Sequence, residues 1–239
     1  HADYFINFWA EEKIRYTKKS DYKFNNDKEK LLVIKFGDIK SDKDGVDFSV
    51  DNKTKIHLNQ LGEYNAVNAM NAVCLGLSQE IALEKIKIGL EKIKGVPGRM
   101  EIIKNANPAF AAIIDYAFEP EALRKIYNTI LKFKYNKIIH VLGSAGGGRD
   151  IARRPKLGAL AGMSANIVIV TNEDPYDDDP GLIIDQVAMG AENASKILGK
   201  DLFKIEDRRE AINKALSLAG EGDIVLITGK GCEQAICMA

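Results

Sequence analysis

The stretch KIIHVLGSAGGGRDIARRPKLGALAGMSANIVIVTNEDPYDDDP (137–180) decides the fold. Two near-continuous apolar runs, KIIHVLG (137–143) and NIVIVTN (166–172), bracket a segment over 153–163 that suits a helix. An unbroken apolar run marks a strand buried on both faces, whereas a strand with one wet face alternates. Parallel neighbours also need a crossover between them, which a helix supplies. Outward from this unit, AFAAIID (109–115) and DIVLITG (223–229) are two more such runs, and LFKIE (202–206) is a shorter fifth strand. Helices are expected over about 119–133, 180–197 and 207–219. The expectation is an α/β domain with a mainly parallel sheet covered on both faces.

Upstream the rhythm differs. Residues 1–60 read as short strands and turns: LLVIKFG (31–37) is a strand, SDKDG (41–45) a turn, and VDFSVDNKTKIHL (46–58) alternates like a hairpin. A small-residue helix follows over 65–77, then a second over 78–92 that Ser78 would start. KGVPGRM (94–100) breaks the pattern with two glycines and a proline, so two domains are expected, 1–95 and 96–239.

Composition narrows the function classes. The 239 residues hold 34 basic and 34 acidic side chains, so no global basic field exists to attract nucleic acid or anionic lipid. No apolar run reaches the roughly 18–20 residues of a membrane helix. HADYFINFWAEEK (1–13) lacks the form of a signal peptide. Cys74, Cys232 and Cys237 are too few and too scattered for a disulfide framework or a structural zinc site, which points to the cytoplasm. His1, His57 and His140 do not make a histidine metal centre. Trp9 and its aromatic neighbours read as core.

In an open α/β sheet ligands bind at the carboxyl ends of the strands. Here those ends run into Asp115-Tyr116, GSAGGGRD (143–150), NEDPYDDDP (172–180) and GKGCE (229–233). Four charged or glycine-rich loops on one rim make a composite site. GSAGGGRD has the GxxxxG spacing of a P-loop, but Arg149-Asp150 replaces the Lys-Ser/Thr pair, so the phosphate lysine and the Mg²⁺ hydroxyl are missing. The loop still offers backbone N–H groups to an anion, with Arg149 for a carboxylate or phosphate and Asp150 to orient it. Asp179 is expected to cap the helix that Pro180 begins, with Asp178 also structural; Glu173 and Asp174 are placed to hold an ammonium. Lys230 and Glu233 are the polar groups of the last loop, and Cys232 is expected to be a packed, inert thiol.

These residues together resemble the ATP-dependent Mur ligase family of peptidoglycan synthesis, in order over about 58–235. LGEYNAVNAMNA (61–72) looks like the family's G-x-x-N-x-x-N-A segment, VPGRME (96–101) like its interdomain signature, and IIDYAFEPEAL (113–123) like V-D-Y-A-H-T-P-x-A-L. GGGRDIARRP (146–155), TNEDPYDDDP (171–180), EDRREAI (206–212) and GKGCE (229–233) continue the series. The resemblance implies that 1–95 is the end of a P-loop-type central ATP-binding domain and 96–239 a Rossmann-like C-terminal domain. It implies ATP contacts at Asn65, Asn68, Arg99 and Asp115. It implies a grip on a free amino acid by Arg149, Glu173, Asp174, Tyr176, Gly229 and Glu233.

The implied reaction adds the third amino acid to UDP-N-acetylmuramoyl-L-Ala-D-Glu through an acyl phosphate, with ATP and Mg²⁺. The implied partners are that UDP-muramoyl dipeptide and the amino acid, in a monomeric cytoplasmic enzyme. The family's Walker A loop, Mg²⁺ ligands and modified lysine lie upstream of the matched segments. The expectation is therefore a fragment with no catalytic residue or metal ligand of its own, inactive alone. Phe118-Glu119 stands for the family's His-Thr, and Cys232 for a histidine. Tyr176 stands where diaminopimelate-adding members carry arginine, which favours lysine or another amino acid lacking the distal carboxylate. Alternative readings are a folylpolyglutamate synthase-like ligase, the subunit that amidates lipid-linked precursor, or a non-catalytic binding domain.

Overall fold

A computed structural model of the chain describes residues 8–18, 30–103, 109–233 and 235–238. His1 lies outside the described residues. The chain divides into two compact units, residues 1–94 and 95–239.

In the first unit β1 (Glu12–Thr17), β2 (Lys30–Ser41), β3 (Val46–Val50) and β4 (Thr54–Leu58) form a sheet in that order. β1 runs parallel to β2, and β2, β3 and β4 are antiparallel. Helices α1 (Tyr64–Ser78) and α2 (Leu83–Glu91) follow. In α1 the buried residues Ala66, Ala69, Met70 and Val73 recur at the spacing of one helix face, and they join Phe48, Val50 and Ile56 of the sheet in one core. Ser78 does not start the second helix. It closes α1, its hydroxyl donating to the Leu75 carbonyl, and Glu80 then turns the chain at φ 58°. Trp9 is not core either, being 85% exposed.

The second unit holds a six-stranded sheet in the order β5-β6-β10-β7-β8-β9. Its strands are β5 (Glu101–Ile103), β6 (Ala111–Asp115), β7 (Ile138–Leu142), β8 (Ile167–Val170), β9 (Leu202–Lys204) and β10 (Ile224–Thr228). All pair in parallel except β5, an antiparallel edge strand that the sequence reading missed. The helices are α3 (Pro120–Ile130), α4 (Arg153–Ser164), α5 (Pro180–Asn193) and α6 (Arg208–Leu218). α6 packs on the face carrying Ile139, Val141, Ile169, Val225 and Ile227 through Ala211 and Ala215. The neighbouring positions along the strands, His140 and Thr228 among them, point the other way because side chains alternate across a strand.

α4 and α5 approach each other through glycines. A Cβ at Gly158 would overlap the Val187 carbonyl, and one at Gly190 would overlap that of Pro155. Both loops that start these helices are held by acids. Asp179 caps α5 by accepting from Gly181 and Leu182 N–H, and Asp178 takes the Arg154 guanidinium at 2.9 Å. Because β6, β10, β7 and β8 are parallel, their carboxyl ends share one edge, and the four polar loops emerge there together.

Candidate functional site

The loops on that edge are joined by contacts. The β7 loop meets the β8 loop where Gly146 N–H donates to the Asp174 carbonyl at 2.8 Å. Gly147 lies under the Tyr176 ring, where a Cβ would stand 2.7 Å from it. The β8 loop meets the β10 loop twice. Lys230 Nζ reaches both oxygens of Asp174 at 2.9 Å. Gly229 stands against the Glu173 carboxylate, with room only because it has no Cβ. The β10 loop meets the β6 loop where the Glu233 carboxylate faces the Tyr116 side chain and takes Gly231 N–H at 2.7 Å. Glu173, Asp174, Tyr176, Gly229 and Glu233 are therefore one cluster, and the loop bearing Arg149 adjoins it.

The individual roles differ from the expectations in places. Asp174 is not a free acid, since Lys230 and the Cys237 N–H already occupy it. Asp150 does not orient Arg149; it accepts from Ala152 N–H and so starts the turn into α4. Arg149 is exposed, and its guanidinium has no partner among the described residues. Cys232 is exposed rather than packed, and all three cysteines are free thiols. Tyr176 holds φ 51°, a conformation uncommon for a bulky residue, and is tied there by its N–H to the Cys237 carbonyl.

Glu173 is 3% exposed, and its Oε2 has no hydrogen-bond partner among the described residues. Burial pushes its carboxyl up to about 7, against the pull of Arg208 and Arg153. Arg208 lies beside it, donating to the Asn172 carbonyl at 3.1 Å and the Thr228 carbonyl at 2.8 Å. Beneath them His140 bridges Tyr127 Oη at 2.7 Å and Thr228 Oγ1 at 2.8 Å. Burial pushes His140 down to about 3, with Arg208 acting in the same direction, so the imidazole stays neutral.

These two groups have opposite linkage. His140, depressed from 6.5 to about 3, makes stability rise with pH across that window, because only the unfolded state takes up the proton. Glu173, raised from 4.5 to about 7, makes stability fall with pH across its window, because there only the folded state holds the proton. Between the two unperturbed values the effects cancel, one proton being bound in each state. Glu173→Gln removes one arm. Relative to the native protein, its stability is expected to gain on the order of 1 kcal/mol per pH unit between those two values. Urea midpoints at about pH 5 and 6 measure this, and equal slopes in the two proteins would refute it.

The four residues expected to contact ATP are described unit by unit. Asn65 donates to the Leu61 carbonyl at 2.7 Å, and Asn68 donates to Asn65 Oδ1 at 3.0 Å, both at the start of α1. In the second unit Arg99 is exposed and stacks on Tyr116 at 4.5 Å. Asp115 is buried and accepts from Met100 and Ala117 N–H at 2.8 and 2.7 Å. Burial raises its carboxyl, and those two bonds oppose the shift. Each oxygen of such a carboxylate still has a lone pair to offer. Gly98 holds φ 65° and packs so closely on Gly231 that a Cβ would come within 2.5 Å of it, which brings the 98–101 turn onto the β10 loop. Phe118 and Glu119 together form a socket for Arg153, the ring 5.3 Å below the guanidinium and the carboxylate 2.7 Å from it.

Two features escaped the sequence reading. One is the Lys230–Asp174 pair, which joins residues 56 apart. The other is Arg208. Its signal was present: a cation in the first turn of a helix opposes the helix dipole and invites a reason.

A mainly parallel sheet with a polar, glycine-built rim at its carboxyl edge defines a Rossmann-like domain. The Mur ligase glutamate ligase domain family matches residues 98–231. Over 210 residues the chain is 36% identical to the UDP-N-acetylmuramoyl-L-alanyl-D-glutamate–2,6-diaminopimelate ligase of Clostridium tetani, covering 84% of this chain and 42% of that protein. It is 39% identical over 202 residues to the UDP-N-acetylmuramyl-tripeptide synthetase of Roseiflexus sp. (strain RS-1), covering 83% and 39%. A solved UDP-N-acetylmuramoyl-L-alanyl-D-glutamate–2,6-diaminopimelate ligase superposes with a TM-score of 0.55 at 28% identity, over 88% of this chain and 44% of that one. The chain belongs to the Mur ligase family. It spans about two fifths of the length of these curated relatives.

Proposed function

We propose that this chain is the amino-acid-receiving part of an ATP-dependent ligase that adds the third residue to UDP-N-acetylmuramoyl-L-Ala-D-Glu. The observation that carries the reading is the acid-rich cluster of Glu173, Asp174 and Glu233 beside Arg149, whose guanidinium has no partner among the described residues. A free amino acid is a zwitterion, and this edge offers both charges. Arg149 takes a carboxylate, for which a guanidinium fork is suited. Glu173 and Glu233 take an ammonium, Asp174 being already paired with Lys230. Within this unit Arg99 and Asp115 are assigned to ATP contact.

ATP supplies the phosphoryl group that activates the D-Glu carboxylate, and the amine of the amino acid then displaces phosphate to form the amide. The work of this unit is positioning. Holding the amine in line removes much of the entropic barrier to a two-substrate step. Mg²⁺ and the bulk of the ATP contacts are assigned to the longer protein. Among the described residues no cluster of three or more His, Cys, Asp or Glu side chains is arranged to hold a metal ion. No helix among the described residues is long and apolar enough to cross a membrane.

Lysine is favoured over diaminopimelate. Tyr176 packs on Gly147 and supplies no cation, and Lys230 is neutralised by Asp174. A second carboxylate would thus meet acids without a counter-ion. Calorimetry on this chain is expected to show lysine binding at least about tenfold more tightly than meso-diaminopimelate, about 1.4 kcal/mol. Tyr176→Arg should reverse the preference. Equal or tighter binding of diaminopimelate, or its efficient use by the full-length enzyme, would overturn the lysine assignment.

A further inference from the structure

We propose that Arg208 is a positioning residue for the amino-acid site, a clamp that ties the ends of β8 and β10 across β7 and so sets the spacing of Glu173 and Gly229. The inference rests on the reading of this edge as an amino-acid site. In the sheet β7 lies between β10 and β8, so these two strands share no ladder hydrogen bond. Their registers with β7 end at Ile227 and Val170, and the last backbone bond from β8 to β7 is Thr171 N–H to the Leu142 carbonyl at 2.9 Å. Beyond that point the carbonyls of Thr228 and Asn172 face Arg208, which gives one nitrogen of its fork to each. The next residue after each carbonyl is a member of the cluster: Gly229 on one side, Glu173 on the other.

The side chain is built for this task. A planar guanidinium donates in two fixed directions at once, whereas an ammonium is a single point of charge. Arg208 is 8% exposed and has no ion-pair partner among the described residues. Burial lowers its affinity for the proton, and the charges of Glu173, Asp174 and Glu233 oppose that effect. It is a fixed cation behind the three acids of the site. The β8 end is also held independently of Arg208. Thr171 Oγ1 donates to the Glu206 carbonyl at 3.2 Å, and Asn172 N–H donates to it at 3.3 Å. Among the described residues no second hydrogen bond joins Arg208's helix to the β10 end, so loss of the fork should shift Gly229–Gly231, which Lys230 still ties to Asp174, more than Asn172.

Glu173 reports the charge. It is faced by Arg208 from α6, Arg153 from α4, Lys230 from the β10 loop, Tyr116 from the β6 loop and Asp174 on its own loop. The test uses this chain with Arg208→Met and Arg208→Lys, read by NMR of the Glu173 carboxyl (assigned through Glu173→Gln) and of backbone amides, with lysine calorimetry. Arg208→Met is expected to raise the Glu173 titration midpoint and shift the Gly229, Lys230 and Gly231 amides more than that of Asn172. Arg208→Lys is expected to restore the Glu173 titration but not those amides, and lysine affinity should fall about tenfold in both. Should Arg208→Met fail to fold, the lysine variant alone decides the fork through the amide shifts. Unmoved Gly229–Gly231 amides, or shifted amides with unchanged lysine affinity, would overturn the clamp. If lysine and diaminopimelate both fail to bind the unsubstituted chain, the amino-acid reading falls, while the Gly229–Gly231 amides still decide the tie between the strands.

Discussion

Gly158→Val is expected to destabilise the second unit by about 3 kcal/mol, at the upper end of what overpacking a well-filled core costs. Gly158 lies in the middle of α4, where a glycine is worse than alanine by roughly 1 kcal/mol on helix propensity alone. Tertiary packing overrides that preference. A Cβ there would overlap the Val187 carbonyl and come within 2.9 Å of its carbon, both backbone atoms of α5. Backbone of a packed helix cannot rotate away as a side chain does, so the two helices must separate. Separation would open the seam at Leu157, Ala161, Val187 and Ala191, all of them buried. Gly89→Ala, in α2, is the control. It is an exposed helix glycine with nothing within 4 Å of its absent Cβ, and there the substitution should stabilise by about 0.5–1 kcal/mol. Urea midpoints at unchanged m measure both. A valine at position 158 that costs less than the alanine at 89 gains would refute the close approach of α4 and α5.

Gly229→Val should cost less stability and more binding. The native φ of 92° is accessible to glycine and poor for any residue with a side chain, a strain of about 1–3 kcal/mol. The new Cβ would also overlap Glu173 Oε2 and stand 2.8 Å from its Cδ. A displaced Glu173 loses its place against an incoming ammonium, which weakens lysine binding, and a misplacement of about 1 Å costs on the order of a hundredfold in turnover. Lysine affinity of this chain, or turnover by the full-length protein, is the readout. A cycle with Glu173→Ala separates the causes. If the carboxylate is what the valine strikes, trimming it recovers part of the lost stability, and the two substitutions are non-additive. Additive losses would show that backbone strain alone is at work.

Much of the fold was legible because its signals are local. KIIHVLG, NIVIVTN and DIVLITG are near-continuously apolar since both faces of their strands are covered, and the Asp179-Pro180 pair marks a helix start by its own hydrogen bonds. Ser78 misled because a hydroxyl suits the end of a helix as well as the beginning; its bond to the Leu75 carbonyl lies behind it in the chain. Strand β5 is only three residues long, too short to carry a period. Trp9 was read as core from its side chain alone, which says nothing of whether a neighbour covers it.

For the site, the sequence by itself determined that polar and glycine-rich loops end four parallel strands, and that Arg149, Glu173, Asp174 and Glu233 stand in those loops. It could not say which of these charges are already spent. Only the tertiary structure paired Lys230 with Asp174, left Arg149 open, buried Glu173 against Gly229 and set Arg208 behind the cluster. The reason is physical: hydrogen bonds within a loop or helix are fixed by residue type and spacing. The state of a charge depends on groups 20 to 60 positions away, and only the packed sheet brings those within about 3 Å.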